Sequence, residues 1–154
     1  MTVGDGATGV RLRRRSGAAA LALVLAACGA RSPRLPYAGA DLDAFLAAHP
    51  LAAQQSIRLD EIGRTATASY HVVQVRGAET PHRHATHDLT VVVLRGRGTF
   101  NREGRAMSLR AGDAVVIPRG EAHWFANGGR GAAVSFVIFA PPLDAPDSVP
   151  VDGR

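Results

Sequence analysis

The sequence has no lysine and few aromatic side chains, and it contains a single cysteine, Cys28. One cysteine excludes an intramolecular disulfide, so no disulfide framework holds the fold together. Because every basic residue is an arginine, we attribute this usage to a GC-rich genome, and it says little about a ligand. The sequence also lacks a nucleophile triad, a phosphate-binding glycine loop and an internal repeat. Because these motifs are absent, none of them identifies a catalytic residue.

The net charge gives no support for nucleic-acid binding. The formal charge of the 154-residue chain is +5, but Arg11, Arg13, Arg14 and Arg15 crowd into its first segment together with Asp5. Removing residues 1–27 leaves 14 arginines against 12 acidic residues, a net charge of +2. These charges alternate in sign and form no basic stripe interleaved with aromatic side chains. We expect no nucleic-acid partner and, from the 127 remaining residues, one domain.

The N-terminal segment has the organisation of a secretion signal. A positive cluster from Arg11 to Arg15 precedes eleven uncharged residues, Gly17 to Ala27. This length suits the apolar core of a signal peptide and is too short to span a bilayer as a helix. The segment before Arg11 is longer than such signals need, so we expect translation to start nearer Val10. We predict a signal peptide over residues 1–27.

The sequence Leu25-Ala26-Ala27-Cys28 resembles the lipobox of bacterial lipoproteins at all four positions. The resemblance implies that Cys28 is lipidated and becomes the new N-terminus, with buried acyl chains anchoring the protein to a membrane. Gly29 stands where an aspartate would retain a lipoprotein in the inner membrane. Gly29 at this position therefore favours a location on the periplasmic face of the outer membrane of the bacterial envelope. The alternative is that Cys28 is a buried free thiol in an N-terminal helix.

Proline residues and apolar spacing divide the rest of the chain. Residues 28–40 contain prolines and glycines without an apolar period, which predicts a flexible tether. Leu42, Phe45 and Leu46 have helical spacing after an acidic start, and the pattern ends before Pro50. We therefore expect one short helix near residues 41–48. We assign residues 41–141 to one domain and the proline-containing residues 142–154 to a loose C-terminal tail.

From Ser56 onward, short β-prone runs alternate with glycine-containing turns. The runs predict strands near residues 56–60, 67–76, 89–95, 98–102, 106–109, 113–117, 122–126 and 132–139. Turns are predicted at the joins, for example at Glu103-Gly104 and Ala111-Gly112. This arrangement is typical of an all-β sandwich or barrel.

Several histidines on or just before these predicted strands have the spacing of metal ligands. His82 and His84 lie two residues apart, so in an extended segment both rings face the same side. His87 follows them closely, and His123 lies on a later predicted strand. Such a set is consistent with a metal site, the alternative being a polar cluster that binds no metal.

Glycine, proline and histidine spacings then resemble the two motifs of the cupin superfamily. The positions of the first motif are Gly77, Pro81, His82, His84 and Gly96. Those of the second motif are Gly112, Pro118, Gly120, His123 and Asn127. The resemblance, over about residues 67–139, implies a cupin-type double-stranded β-helix, a jelly-roll barrel. It further implies a metal bound by two histidines and a carboxylate of the first motif and one histidine of the second.

One position departs from the cupin pattern. Counting back from Gly96, the carboxylate position falls on Leu89, which cannot bind a metal. His87 shares its inward parity and is the preferred fourth ligand, whereas Asp88 needs a β-bulge to turn inward. Asp88 alternatively accepts the free ring N–H of a liganding histidine. A third alternative is a three-histidine site with its other positions open to water or substrate.

These ligands suit one divalent transition metal, Fe, Ni, Cu or Zn, better than Mg or Ca. Phe125 and Phe136 are expected to line the pocket beside it. The resemblance implies a metalloenzyme such as a dioxygenase or isomerase, doing oxygen-activating or Lewis-acid chemistry on a small molecule, and a homodimer is common among cupins. The alternative is a non-catalytic periplasmic protein that binds a small molecule, a sugar or a metal. The only membrane contact expected is the lipid anchor.

Overall fold

The computed structural model describes residues 1–2, 32–35 and 38–152. The chain divides into two compact units, residues 1–30 and 31–154, and nearly all of the described residues belong to the second. Cys28, most of the predicted signal peptide and residues 28–31 and 36–37 of the predicted tether lie outside the described residues. The described part of the predicted tether is not flexible chain, because Arg34–Leu35 pairs with Ala40–Asp41 and Leu35 is buried in the cluster that contains Leu42.

Twelve strands and one helix are found in the described part of the chain. In chain order they are β1 (Arg34–Leu35), β2 (Ala40–Asp41), α1 (Leu42–Ala48), β3 (Ile57–Arg64), β4 (Ser69–Val75), β5 (His82–His84), β6 (Asp88–Arg95), β7 (Arg97–Arg102), β8 (Arg105–Arg110), β9 (Ala114–Ile117), β10 (His123–Asn127), β11 (Ala133–Ala140) and β12 (Ser148–Pro150). The all-β class predicted from the sequence is confirmed.

The strands form two five-stranded antiparallel sheets and one short two-stranded ribbon, β1–β2. The first sheet has the order β3-β4-β11-β6-β9 and is called here the helix-covered sheet. The second has the order β12-β5-β10-β7-β8 and is called the histidine sheet, because β5 and β10 carry three histidines. Apart from the consecutive pairs β3–β4 and β7–β8, neighbours in both sheets are distant in sequence, as expected for a jelly roll, in which the chain passes repeatedly between two sheets.

Apolar side chains from both sheets form the interior core. Its buried members are Leu89, Val93, Phe100, Leu109, Ile117, Val137 and Phe139. Because side chains alternate between the two faces of a strand, the other face of the helix-covered sheet presents a second apolar set. The interior core therefore occupies the space between the sheets and leaves the outer face to be covered separately.

Helix α1 covers that outer face. The side chain of Asp41 caps the helix by accepting the backbone N–H of Ala44 at 2.9 Å. Leu42 and Phe45 are buried and pack with Val72 of β4 and Val134 of β11. The helix predicted near residues 41–48 is thus present as a packing element. Among the described residues, no helix is long and apolar enough to cross a membrane.

The structure differs from the sequence-based expectation at the C-terminus. In place of a loose tail after residue 141, β12 pairs with β5, with Val149 opposite Arg83. The backbone N–H of Val151 also donates to the carbonyl of Pro81 at 3.1 Å. The proline-containing sequence hid this strand, yet Pro150 is tolerated because β12 is at the edge of its sheet.

Candidate metal centre

Two backbone contacts bring the histidines of the two motifs together. His123, the first residue of β10, is the Cα partner of His82 in β5. The loop before β10 is tied to the same strand, because the N–H of Gly120 donates to the carbonyl of His84 at 2.8 Å. Gly120 has a φ of +84°, a conformation that side-chain-bearing residues rarely adopt. The glycine of the second motif thus fixes the two histidine segments side by side.

Three histidines converge at this point. His82, His84 and His123 each offer a ring nitrogen, and these nitrogens all lie within 4.8 Å of one another. The ring centroids are 4.5 Å apart for His82 and His123, and 5.4 Å apart for His84 and His123. His84 and His123 are buried, whereas His82 is half-buried. This group is large enough and close enough to hold one metal ion.

The hydrogen bonds of the three rings leave the same nitrogen free on each. The Nδ1 atom of His82 lies 2.9 Å from the carbonyl oxygen of Thr80, and that of His123 lies 2.9 Å from the carbonyl oxygen of Glu121. The Nδ1 atom of His84 lies 2.7 Å from a carboxylate oxygen of Asp147. Because these oxygens only accept, each Nδ1 carries a proton and each Nε2 keeps its lone pair. Metal-binding histidines are oriented in the same way.

Burial keeps two of these rings neutral. Desolvation is the main cause that lowers the pKa of His123 to about 4, and the neighbouring His82 and His84 act in the same direction. The hydrogen bond to the carbonyl of Glu121 opposes this shift. Desolvation also lowers the pKa of His84, although Asp147 acts in the opposite direction. Since a metal binds the neutral imidazole, both rings are in the binding form at neutral pH.

Asp147 connects the C-terminal segment to the histidine group. One carboxylate oxygen contacts His84, and the other lies 2.5 Å from Nδ1 of His87. The second oxygen also accepts the backbone N–H and the hydroxyl of Thr86, at 3.1 and 3.0 Å. Burial alone would raise the pKa of Asp147, but the hydrogen bonds from His87, His84 and Thr86 lower it, so the carboxylate stays ionised. The sequence analysis missed this residue, because nothing in residues 142–154 links it to a histidine sixty residues earlier.

The three residues considered for the fourth position lie elsewhere. His87 is outside the group, and both of its ring nitrogens have other partners, Nδ1 the carboxylate of Asp147 and Nε2 the carbonyl oxygen of Pro142. Asp88 forms an ion pair with Arg119 at 2.8 Å and has a pKa lowered to about 2 by the hydrogen bonds from that residue. Leu89 is buried in the interior core. In the structure neither His87 nor Asp88 joins the other three histidines.

The histidine group lines a cavity of about 350 Å³ between the two sheets. Phe125 of β10 lines this cavity, and its ring packs over Gly98. A Cβ atom at position 98 would lie only 2.3 Å from Cζ of the Phe125 ring, so the ring position depends on the glycine. Phe136, predicted to line the pocket, instead stacks on Tyr70 with ring centroids 6.1 Å apart. Its neighbours Ser135 and Val137 line the cavity, so alternation along β11 turns Phe136 to the other face.

Glu79 is an acidic cavity residue that the sequence analysis did not identify. It lies three residues before His82, and its Oε2 accepts the backbone N–H of Phe125 at 2.8 Å. Burial raises the pKa of Glu79, against the opposing effects of His82 and of the Phe125 N–H. In the sequence, Glu79 is only an acidic residue close to His82. No regular spacing relates it to the histidines, so it could not be assigned to the site.

The chemistry of the donors fits a transition metal. Three imidazole ligands without a carboxylate suit Fe, Ni, Cu or Zn, whereas Mg and Ca prefer oxygen ligands. Three protein ligands also leave coordination positions for water or a small molecule, as in catalytic metal sites. The described residues therefore could hold a metal with open positions that face a cavity.

Comparisons with known proteins agree with the fold. Residues 69–139 match the cupin domain family. An uncharacterized protein of Aquifex aeolicus (strain VF5) is 37% identical over 98 residues, which cover 64% of this chain and 80% of that protein. Both histidine motifs fall within the matched residues 69–139.

Solved structures show the same architecture. KdgF from Halomonas sp. superposes with a TM-score of 0.55 at 26% identity, covering 60% of this chain and 86% of that one. Pac13 of Streptomyces, a nucleoside dehydratase, superposes with a TM-score of 0.52 at 22% identity, covering 62% and 78%. From the motif match, the relative and the shared jelly roll together, the chain belongs to the cupin superfamily.

Proposed function

We propose that this protein is a metal-dependent cupin of the bacterial envelope that acts on a small molecule inside its barrel. The observation that carries the proposal is the convergence of His82, His84 and His123, each with a free Nε2, on one side of a cavity. A divalent ion held there would polarise an oxygen-bearing group of the ligand or activate oxygen. Dioxygenase and isomerase reactions are both within this chemistry, and the fold does not choose between them.

The residues of the chain would have three separate tasks. The backbone carbonyls of Thr80 and Glu121 and the carboxylate of Asp147 hold the three imidazoles in one tautomer and orientation. The apolar walls exclude water from the ligand, which strengthens polar interactions inside the cavity. Glu79 supplies a carboxyl group beside His82 that can take or return a proton.

The second candidate function is binding without turnover. Leu89 supports it, since a buried core leucine replaces the carboxylate that completes the usual cupin site. Glu79 favours the enzyme instead, because a buried carboxyl group with a raised pKa in the same cavity as the three histidines can take part in proton transfer. Oxygen consumption or product formation on candidate substrates separates the two functions.

The metal proposal is tested by measuring the metal content of the protein purified without chelator. Mass spectrometry should find about one Fe, Ni, Cu or Zn ion per chain, and His82→Ala and His123→Ala should each lose it. His49→Ala is the matched control, because that histidine lies outside the group and contacts Asp60. A metal-free wild type that also takes up none of the four ions would contradict the proposal.

The envelope location is a proposal of its own, supported by the lipobox-like sequence at Cys28. Expression in a bacterial host fed with a labelled fatty acid should label the wild-type chain and fractionate it with membranes. Cys28→Ser should be unlabelled and leave the membrane fraction, while its metal content stays the same. Labelling of the Cys28→Ser variant would show that another residue carries the lipid.

A further inference from the structure

The outer face of the histidine sheet differs from that of the helix-covered sheet, on which α1 packs. The histidines of β5 and β10 and the ring of Phe100 point inward and line the cavity. Because side chains alternate along a strand, Arg83, Arg97 and Arg110 point outward. The five strands of this sheet contain no aspartate and no glutamate. Its outer face therefore presents positive charge without an acidic partner on the same strands.

Two of these arginines are direct neighbours on adjacent strands. Arg97 of β7 is the Cα partner of Arg110 of β8, and the next outward pair is Thr99 with Ser108. All four residues are exposed, and all four line one groove of about 440 Å³, called here the arginine groove. Two guanidinium groups and two hydroxyl groups are thus available to one ligand.

Neither arginine of the groove is neutralised by an ion pair. Other arginines pair with carboxylates, as Arg64 does with Glu61 at 2.7 Å. In the described part of the chain, no carboxylate lies within ion-pair distance of Arg97 or Arg110. Like charges directly opposite each other on paired strands are destabilising. An anion bound between the two guanidinium groups would remove this repulsion.

One carboxylate lines the arginine groove, and it is engaged by the backbone. Oδ2 of Asp113 accepts the N–H of Arg110 at 2.8 Å and so holds the turn that follows β8. Two guanidinium groups against one carboxylate leave the groove with a net charge of +1. Asp113 therefore weakens the attraction for an anion but does not cancel it.

The donors of the groove fit a phosphate group better than a carboxylate. Guanidinium groups bind phosphate oxygens in bidentate fashion, and the hydroxyls of Thr99 and Ser108 are further donors. A phosphate monoester offers three acceptor oxygens and a charge of about −1.5 to −2 at neutral pH. A carboxylate offers two oxygens in one plane and a single charge. The phosphate group therefore matches both the number of donors and the two positive charges.

From these observations we infer that the arginine groove is a second ligand site, which binds a phosphate group through Arg97 and Arg110. The inference does not rest on the proposed metal centre, since among the described residues Leu109 alone lines both the groove and the cavity. A soluble phosphomonoester and a phospholipid headgroup both carry this chemical group. The experiments below distinguish these two sources.

Calorimetry in phosphate-free buffer tests the site with inorganic phosphate and glycerol 3-phosphate as probes. Arg97→Gln and Arg110→Gln should each weaken binding about tenfold, because each removes charged hydrogen-bond donors. Arg83→Gln is the matched control, since it removes the same charge from the same face at a residue that does not line the groove. Weakening by Arg83→Gln as large as that by the groove variants would show general charge attraction and overturn the inference.

Flotation with phosphatidylcholine vesicles, with and without phosphatidylglycerol, tests the headgroup source. Cys28→Ser is the background for all of these samples, so that the predicted lipid anchor does not contribute. Vesicle binding that needs phosphatidylglycerol and falls in Arg97→Gln identifies a headgroup as the ligand. Binding of the soluble probes without vesicle binding identifies a soluble phosphomonoester. Failure of the wild-type groove to bind any of the three probes would overturn the inference.

Two further variants separate the groove from the metal centre. Asp113→Asn keeps an acceptor for the N–H of Arg110 but removes the negative charge, so it should tighten phosphate binding severalfold. His82→Ala should leave phosphate binding unchanged, whatever it does to the metal content. Phosphate affinity that is lost in His82→Ala but kept in Arg97→Gln would place the anion at the three histidines and overturn the inference. The proposed metal centre would stand in that case, whereas a metal-free protein that binds phosphate in the groove gives the reverse result.

Discussion

The two faces of the helix-covered sheet are built from similar apolar side chains but are filled differently. On the outer face, Leu42 of α1 and Val72 of β4 are both fully buried, and the helix closes the cluster. On the inner face, residues such as Val91 and Val137 border a cavity of about 350 Å³. Close packing is the normal state of a protein interior. The hollow inner face therefore departs from normal packing and leaves room for a ligand, whereas the outer face stabilises the fold.

Truncating one leucine that packs against each face, Leu42 of α1 outside and Leu109 of β8 inside, tests this division and should give the largest effect. Leu42→Ala removes a fully buried side chain from the filled cluster and should lower the free energy of unfolding by about 2–5 kcal/mol. Leu109→Ala should lower it less, by about 1–3 kcal/mol, because Leu109 already borders a void and has fewer contacts to lose. Urea unfolding measures both changes. An equal or larger loss for Leu109→Ala would show that the inner face is packed as tightly as the outer one.

The histidine sheet, across the cavity from this inner face, carries the groups that make stability depend on pH. The folded-state pKa of His123 is about 4, mainly through burial, whereas an unfolded histidine titrates near pH 6.5. Between these pH values the unfolded chain binds a proton at His123 that the folded chain does not bind. The free energy of unfolding therefore falls as the pH falls from about 6.5 to about 4. The contribution of His123 is at most about 3 kcal/mol, and His84 acts in the same direction.

Chemical unfolding of the metal-free protein at several pH values measures this slope. His123→Asn, which cannot titrate, should have a shallower slope than the wild type. His49→Asn, on the outer side next to α1, serves as the control. A His123→Asn slope as steep as that of the wild type would mean that His123 is protonated as easily in the folded chain as in the unfolded one.

Most of the fold followed from local patterns in the sequence. Asp41 and Pro50 bounded the helix, and eight of the strands were predicted within a few residues from alternation and turn glycines. Four strands were missed: β1, β2, β5 and β12. They are two or three residues long, which is too short for an apolar alternation, and they exist only through pairing. The motif residues His82, His84 and His123 were found because their spacing is a property of the chain itself.

The rest of the site depended on contacts that no local pattern encodes. Asp147 reaches His84 only because β12 pairs with β5. Phe136 was assigned to the inner face because alternation shows which residues share a face, but not which face is inside. Val137 and Phe139 are as apolar as Phe136 and Ile138. The sequence was therefore equally consistent with either pair facing the interior.

Asp147 offers the next test, since it links the C-terminal segment to His84 of the histidine sheet. Asp147→Asn keeps the shape of the side chain but weakens its hold on the ring of His84, and it should lower metal affinity by about 10–100-fold. Asp144→Asn is a matched control from the same segment, where Asp144 pairs with Arg64 on the surface. Competition with a chromophoric chelator measures both affinities. Unchanged affinity in Asp147→Asn would show that the C-terminal segment does not support the site.

The smallest effect is expected at Asp88, on the rim between the two regions. Its carboxylate pairs with Arg119 and also accepts the backbone N–H of that residue at 2.8 Å, and both side chains are largely exposed. Exposed ion pairs contribute about 0–1 kcal/mol, so Asp88→Asn should lower the free energy of unfolding by no more than that. Metal content should not change, since the carboxylate is engaged away from the three histidines. Loss of metal from Asp88→Asn would mean that β6 rearranges to bring a fourth ligand inward, and the inner face would then be less fixed than the outer one.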